Sequence, residues 1–435
     1  MTESSDSSGG PPAPKKAPIA EFLKSKLGRN FTGSVLWHVL ARLVQVVGMA
    51  YTTRCLGPTA IGHSGTAMTV ATCLQQVLGF GFEIALVRHL SKNRASALEL
   101  LPAVFTFRML MAFSGALIWL AVVWMWDIPP VVRQVWLWGA PNFAFLVLDY
   151  NWVFQAEERM PALTRIQLWL TATISLLSLL LFRPGQEPGS DLALWVLVNA
   201  AFGIVLWNDI QRRFKVRLWD PSKLGRAWVL LREGRPMWLY NVTYWIHHTL
   251  QVPLIYFLEG PDEGGLYRSA AQLVMPAQAV IVFFLLAAYP RMIEWRQRNP
   301  AQYVRRIWLM SLGWFLAGWV IFGVVWPFSG PVYQLIYGEK FAGAATIFPV
   351  LLLGKFVAAP NGMFLWALFA DHRDWAGIKC VGPILLLETV VNLYWIPVLS
   401  LPAVAWLSVA SEALLIVLTG ATFFWATRSL VRQTG

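Results

Sequence analysis

Long apolar runs, interrupted by Gly, Pro and clusters of charge, recur along the whole chain. Each is close to the ~20 residues a helix needs to cross the hydrocarbon layer of a bilayer. They predict twelve helices, over 33–54, 60–81, 98–124, 131–155, 162–183, 190–210, 236–258, 264–290, 303–327, 341–368, 376–398 and 402–427. No stretch alternates apolar and polar residues over about 10 positions, which excludes a transmembrane β-barrel. The expected fold class is an all-α polytopic membrane protein with two six-helix lobes around a central cavity. The expected domains are a disordered cytoplasmic tail (1–30), an N-terminal lobe (31–210), a basic cytoplasmic linker (211–235) and a C-terminal lobe (236–435).

The two halves repeat a motif. Gly57-Pro58-Thr59-Ala60-Ile61-Gly62 follows the first helix, and Gly260-Pro261-Asp262-Glu263-Gly264-Gly265 follows the seventh. Both read G-P-x-x-x-G at a constant offset of 203, which also relates Arg88 to Arg291. Two halves of the same orientation imply a pseudo-twofold axis along the membrane normal, with a site between the lobes.

Composition agrees. Of 435 residues, 57% are hydrophobic and 13% charged, against about a quarter charged in a typical soluble domain. This excludes a soluble enzyme, a disordered protein and a secreted disulfide scaffold. A net charge of +12 would suggest nucleic acid in a soluble protein. Here 26 of the 35 Lys and Arg residues fall in the tail and loops of one side, and four on the other. That asymmetry predicts cytoplasmic termini on the basic side and no nucleic-acid partner. Cys55, Cys73 and Cys380 are scattered and form no disulfide or metal framework.

Ionisable residues inside the hydrocarbon are costly and are functional candidates by default. Arg42, Arg108, Lys355, Glu388 and Glu412 fall mid-helix, as do His247 and His248. Arg42 has no acidic partner in its own helix, which favours a water-filled cavity. Lys355 has a structural alternative, pairing with Glu388 or Glu412, and an interhelical hydrogen bond is the alternative for either histidine. Arg54, Glu83, Arg88 and Arg268 lie near helix ends, where snorkelling suffices as an explanation, above all for Arg54. Asp149 lies inside the fourth helix and needs a partner or water. Walker A, H-E-x-x-H and G-x-S-x-G motifs are absent from the sequence. The outer loops are short apart from the segment holding Tyr333 to Phe341, which argues against an enzyme.

Several motifs together resemble the polysaccharide/O-antigen (Wzx-type) flippases of the multidrug/oligosaccharidyl-lipid/polysaccharide exporter superfamily. They are Arg54-Cys55-Leu56-Gly57-Pro58 with Ile61-Gly62, and Gly79-Phe80-Gly81-Phe82 with Arg88-His89-Leu90. Asp149-x-x-Trp152-x-Phe154-Gln155-Ala156-x-Glu158, Gly264-Gly265-Leu266-Tyr267-x-Ser269-Ala270, Tyr289-Pro290-Arg291 and Leu335-Ile336-Tyr337-Gly338-x-x-Phe341 follow in order. The resemblance implies a V-shaped transporter in a bacterial inner membrane, with helices 1, 2, 7 and 8 around the cavity. Its implied cargo is an oligosaccharide on a polyprenyl diphosphate, flipped to the outer leaflet by alternating access, with membrane lipid and a polysaccharide polymerase or synthesis complex as partners. Arg42, Arg88, Arg268 and Arg108 are then candidates for the anionic headgroup. Glu83, His247, His248 and Asp149 are candidates for coupling to H+ or Na+, and Lys355, Glu388 and Glu412 are structural or cavity charges. No cofactor or metal is expected. The alternatives are a cation-coupled multidrug or metabolite exporter of the same superfamily and, behind it, a membrane-embedded glycosyltransferase or polymerase.

Overall fold

A computed structural model describes residues 26–82, 86, 89–90, 97–149, 151–157, 159–215 and 219–432. The helices are α1 (Lys26–Leu56), α2 (Pro58–Gly79), α3 (Ala97–Met125), α5 (Met160–Leu181) and α6 (Ser190–Phe214), with α4 between α3 and α5 in three pieces, Pro130–Leu137, Phe145–Leu148 and Asn151–Ala156. The second half holds α7 (Leu224–Thr249, continuing as Gln251–Glu259) and α8 (Pro261–Leu273, continuing as Met275–Arg298). It continues with α9 (Pro300–Val325, extended by Ser329–Tyr337), α10 (Ile347–Ala370), α11 (Ala376–Trp395) and α12 (Leu401–Arg432). These are the twelve expected helices, and the described residues contain no strand.

Proline sets many boundaries. Pro58, Pro130, Pro261 and Pro300 each stand in the first turn of a helix, where the missing N–H is not needed. Pro253 and Pro276 instead interrupt continuing helices. They lie just past the breaks in α7 at Leu250 and in α8 at Val274. Pro141 accompanies the conversion of mid-α4 to a 3-10 turn, Ala140–Ala144.

Among the described residues, α3–α6 and α9–α12 are long and apolar enough to cross a membrane by length and composition. The four helices outside that set are α1, α2, α7 and α8, of which α2 packs against both α7 and α8. The described residues form two apolar cores. One gathers α2, α3, α4 and α6; the other surrounds α10, which is buried along most of its length. Elsewhere large apolar side chains such as Trp124, Leu180, Val320 and Leu386 point outward, as lipid contact requires.

Several segments differ from expectation: α1 begins at Lys26, inside the expected disordered tail 1–30, and α4, expected as one helix over 131–155, is broken into three pieces. The basic stretch 211–235 is not all linker, because α7 begins at Leu224. Ala227, Leu230 and Gly234 are buried at helical spacing, and the first two join the N-terminal core. Its intervening charges hide this turn from a search for continuous apolar runs. The segment Tyr333–Phe341, expected as a loop, is the helical extension of α9 followed by a 3-10 turn. Tyr333, Tyr337 and Phe341 are fully buried, and the Tyr333 and Ser269 hydroxyls are 2.5 Å apart.

Candidate functional site

The two G-P-x-x-x-G motifs meet each other at the low-charge end of the bundle. Gly57 and Gly260 share one backbone conformation, with φ of +82° and +102°, open only to glycine at little cost. Each turns the chain directly into α2 or α8. The Thr59 hydroxyl donates to the Asp262 carboxylate, so equivalent positions of the two motifs, 203 apart in sequence, bond to each other. A Cβ at Gly62 would lie 1.9 Å from the Pro261 carbonyl oxygen, and one at Gly265 would lie 1.9 Å from that of Pro58. Glycine is therefore required for α2 and α8 to touch backbone to backbone. Arg54 adds a second seal, donating from Nε to the Ile336 carbonyl at 2.8 Å and from Nη2 to that of Leu335. Its expected snorkelling gives way to this bond between the two halves of the chain.

Towards the basic end from this seal lies a cavity of about 370 Å³, lined by α1, α2, α5, α6 and α8. Its charged groups are Arg42, Arg268 and Asp191. Arg42 donates to Gln45 at 2.5 Å. Arg268 reaches Thr69 at 3.4 Å from Nη1, while its Nε has no hydrogen-bond partner. Asp191 accepts from the Ser64 hydroxyl at 2.7 Å through Oδ2, and its buried Oδ1 has none. Two guanidiniums against one carboxylate, each with free hydrogen-bonding capacity or a polar neighbour, suit an anionic polar ligand.

A second polar cluster is buried among α7, α10, α11 and α12. His247 Nδ1 is 2.5 Å from Glu388, and His247 Nε2 is 3.3 Å from Glu412. His248 Nδ1 is 3.1 Å from Glu412, and Asn361 Nδ2 donates to the other Glu412 oxygen at 2.7 Å. Lys355 lines the same space. His247, His248 and Glu412 each offer a ligand atom, all within 4.8 Å of one another, the donor set nearest to a metal site among the described residues.

A sequence profile described as "Polysaccharide biosynthesis protein" matches residues 27–295, which is more than half of the chain. The chain belongs to that family. No curated protein matches it significantly. Among solved structures it is similar to the inward-facing conformation of a multidrug resistance MATE family transporter of the MOP superfamily, with a TM-score of 0.74 at 13% identity, covering 91% of this chain and 96% of that one. The lipid II flippase MurJ in its inward closed conformation matches with a TM-score of 0.71 at 10% identity, covering 92% and 87%. An outward-facing MATE transporter gives a TM-score of 0.63 at 14% identity, covering 97% and 100%. This member of the polysaccharide biosynthesis family thus has the fold of MOP-superfamily transporters and is a multi-pass membrane protein.

The predicted site residues separate within this fold. Arg42 and Arg268 share the cavity. Arg108, expected to bind substrate, is buried on α3 and is not among the cavity-lining residues. Asp149, expected to couple ions, sits between two pieces of α4, where its Oδ1 accepts from the Asn151 amide at 3.1 Å, as a helix cap does. Glu83 and Arg88 lie outside the described residues. His247 and His248 join Glu388, Glu412 and Lys355 in the second cluster. Of the implied wall of helices 1, 2, 7 and 8, α1, α2 and α8 line the 370 Å³ cavity together with α5 and α6, and α7 lines the second cluster. Asp191 and Ser64 escaped the sequence reading. Asp191 opens α6, where an acidic residue is expected simply to complement the helix dipole.

Proposed function

We propose that this protein is a flippase that carries an oligosaccharide on a polyprenyl diphosphate from the cytoplasmic to the outer leaflet of a bacterial plasma membrane. The observation that carries the reading is the pairing of Arg42 and Arg268 in one cavity of a polysaccharide biosynthesis family member. Guanidinium forks match phosphate oxygens in geometry and charge. Hydroxyl and amide side chains on the same wall, among them Gln45, Ser64 and Asn199, suit sugar hydroxyls, and Trp195 offers a stacking face. The lipid tail stays in the bilayer while the polar part crosses the cavity.

Orientation follows from charge. With the basic side cytoplasmic, both termini are cytoplasmic and the seal of α2 on α8 closes the outer face. The structure is then inward-facing, ready for cargo built in the cytoplasm. The lobes, 31–210 and 236–435, rock about the axis between the two G-P-x-x-x-G motifs to expose the cavity on the other side.

Arg42→Ala tests the assignment. A lost charge-assisted contact of about 1.5–3 kcal/mol lowers headgroup affinity by about ten- to a hundredfold. The measurement is glycan export at matched membrane levels of the protein. Export equal to wild type would remove Arg42 from the binding site.

A further inference from the structure

We propose that the Glu388–His247–Glu412–His248 cluster, with Lys355, is an exchangeable proton site that binds and releases one proton in the transport cycle. The inference deepens the flippase reading by naming its driving ion, and only its role in the cycle rests on that reading. His247 stands between the two carboxylates. Its two ring nitrogens face two different carboxylates, Glu388 at 2.5 Å and Glu412 at 3.3 Å. A neutral imidazole carries one N–H. Without a further proton, on the ring or on a carboxyl group, one of these contacts sets a lone pair against a carboxylate. Nε2 also lacks a well-aligned acceptor although it is buried, so the proton has a place to go that the present hydrogen bonds leave open.

Charge counting gives the same stoichiometry. Two carboxylates and one ammonium leave the buried group at a charge of about −1 with both histidines neutral, and one added proton neutralises it. A buried net charge is costly where a balanced, hydrogen-bonded one is not. Glu412 is already held on its other side by His248 and Asn361, so it cannot turn away from His247 freely. Loss of the proton therefore repels α7 from α11 or α12.

The surroundings connect that repulsion to movement and to solvent. The break in α7 at Leu250 comes two residues after His248, and Val274, at the break in α8, lines the same small cavity of about 60 Å³. A separate cavity of about 220 Å³ approaches from the basic end past Tyr240, Asn241 and Gln278. His248, Lys355 and Glu412 border both cavities. In this inward-facing state a proton can thus reach the cluster from the basic end, and the small cavity joins that path to the wall of the cargo cavity at Arg268. Arg268 walls both the small cavity and the cargo cavity, which puts the cargo's charge within electrostatic range of the cluster. The remaining titratable groups around it are Tyr240 and Tyr244 of α7 and Tyr267 of α8. The donor set also resembles a metal site, but an ammonium on the wall repels a metal ion, and nitrogen–oxygen spacings of 3.1 and 3.3 Å are hydrogen-bond separations. Na+ is a hard cation that prefers an oxygen shell, which two imidazoles do not supply.

Infrared difference spectra of the purified protein in nanodiscs, stepped between about pH 5 and pH 9 without cargo, test the proposal. Wild type should show imidazolium and carboxyl bands with one titration midpoint, and His247→Gln should abolish them. Lys355→Met removes the balancing cation, so the midpoint should rise by about one pH unit or more, a tenfold or greater gain in proton affinity. Lys355→Arg should leave it in place. Neither Na+ nor Zn2+ should alter the wild-type spectrum at fixed pH. A wild type without these bands, a saturable response to Na+ or Zn2+, or a midpoint unmoved in folded Lys355→Met would overturn the proposal. The wild-type arms need no substitution, so a variant that fails to fold leaves the test intact. The assay contains no cargo, so its failure is separate from failure of the flippase reading.

Discussion

Adding one methyl group at Gly62 should open the outer seal. A Cβ there would lie 1.9 Å from the Pro261 carbonyl oxygen. Ordinary carbon–oxygen contacts between helices are about 3.3 Å or longer, so α2 and α8 must part by about 1.4 Å at this point. The obstacle is backbone, which cannot swing aside as a side chain would. Overpacking of this kind costs about 1–3 kcal/mol, and that falls on the sealed state alone. The ratio of sealed to open molecules should drop by about 5- to 150-fold. Gly265→Ala should act alike, because its Cβ meets the Pro58 carbonyl at the same distance. One separation relieves both contacts, so the double variant should cost less than the sum of the two. Spin labels at Glu187→Cys and Lys340→Cys, both exposed at the low-charge end, with the three native cysteines replaced by serine, report the opening. Gly62→Ala should add a longer-distance population. Gly313→Ala, where the methyl meets nothing within 4 Å, should not. An unchanged distance distribution in a folded Gly62→Ala protein would refute the seal.

Two further substitutions probe the same scheme. Arg54→Ala removes the bonds to the Leu335 and Ile336 carbonyls and should lengthen the same label distance, but less than Gly62→Ala, because an exposed contact contributes about 1 kcal/mol or less; a wider opening than Gly62→Ala would reverse the ranking of the two seals. Arg42→Lys keeps the charge and loses the fork, so export should fall between wild type and Arg42→Ala, and full activity would show that a point charge suffices.

Much of the fold was legible because hydrocarbon imposes a simple rule: a span is long and apolar, and its ends carry Gly, Pro or charge. The 203-residue offset was legible too, since Gly57 and Gly260 need the same unusual backbone. What the sequence could not give was which polar groups meet. Thr59 and Asp262 look like ordinary loop residues until the fold brings them together. His247 and His248 were evident as mid-helix histidines, yet their partners come from helices about 140 and 165 positions away, and no periodicity encodes that pairing. Asp149 was conspicuous by its depth in a predicted continuous helix; α4 breaks there, and its Oδ1 accepts from the Asn151 backbone amide. The amphipathic start of α7 was hidden by its own charges, while Asp191 was hidden by standing where acidic residues are common.

The central claim is that the cavity moves a lipid-linked anionic glycan between leaflets. The direct measurement reconstitutes the purified protein in vesicles with a fluorescent polyprenyl-diphosphate saccharide and follows its leaflet with a membrane-impermeant quencher, with and without a pH gradient. The account predicts protein-dependent movement that responds to the pH gradient and falls in Arg42→Ala. Transport of a soluble compound by the same vesicles, with no movement of several lipid-linked glycans, would contradict it.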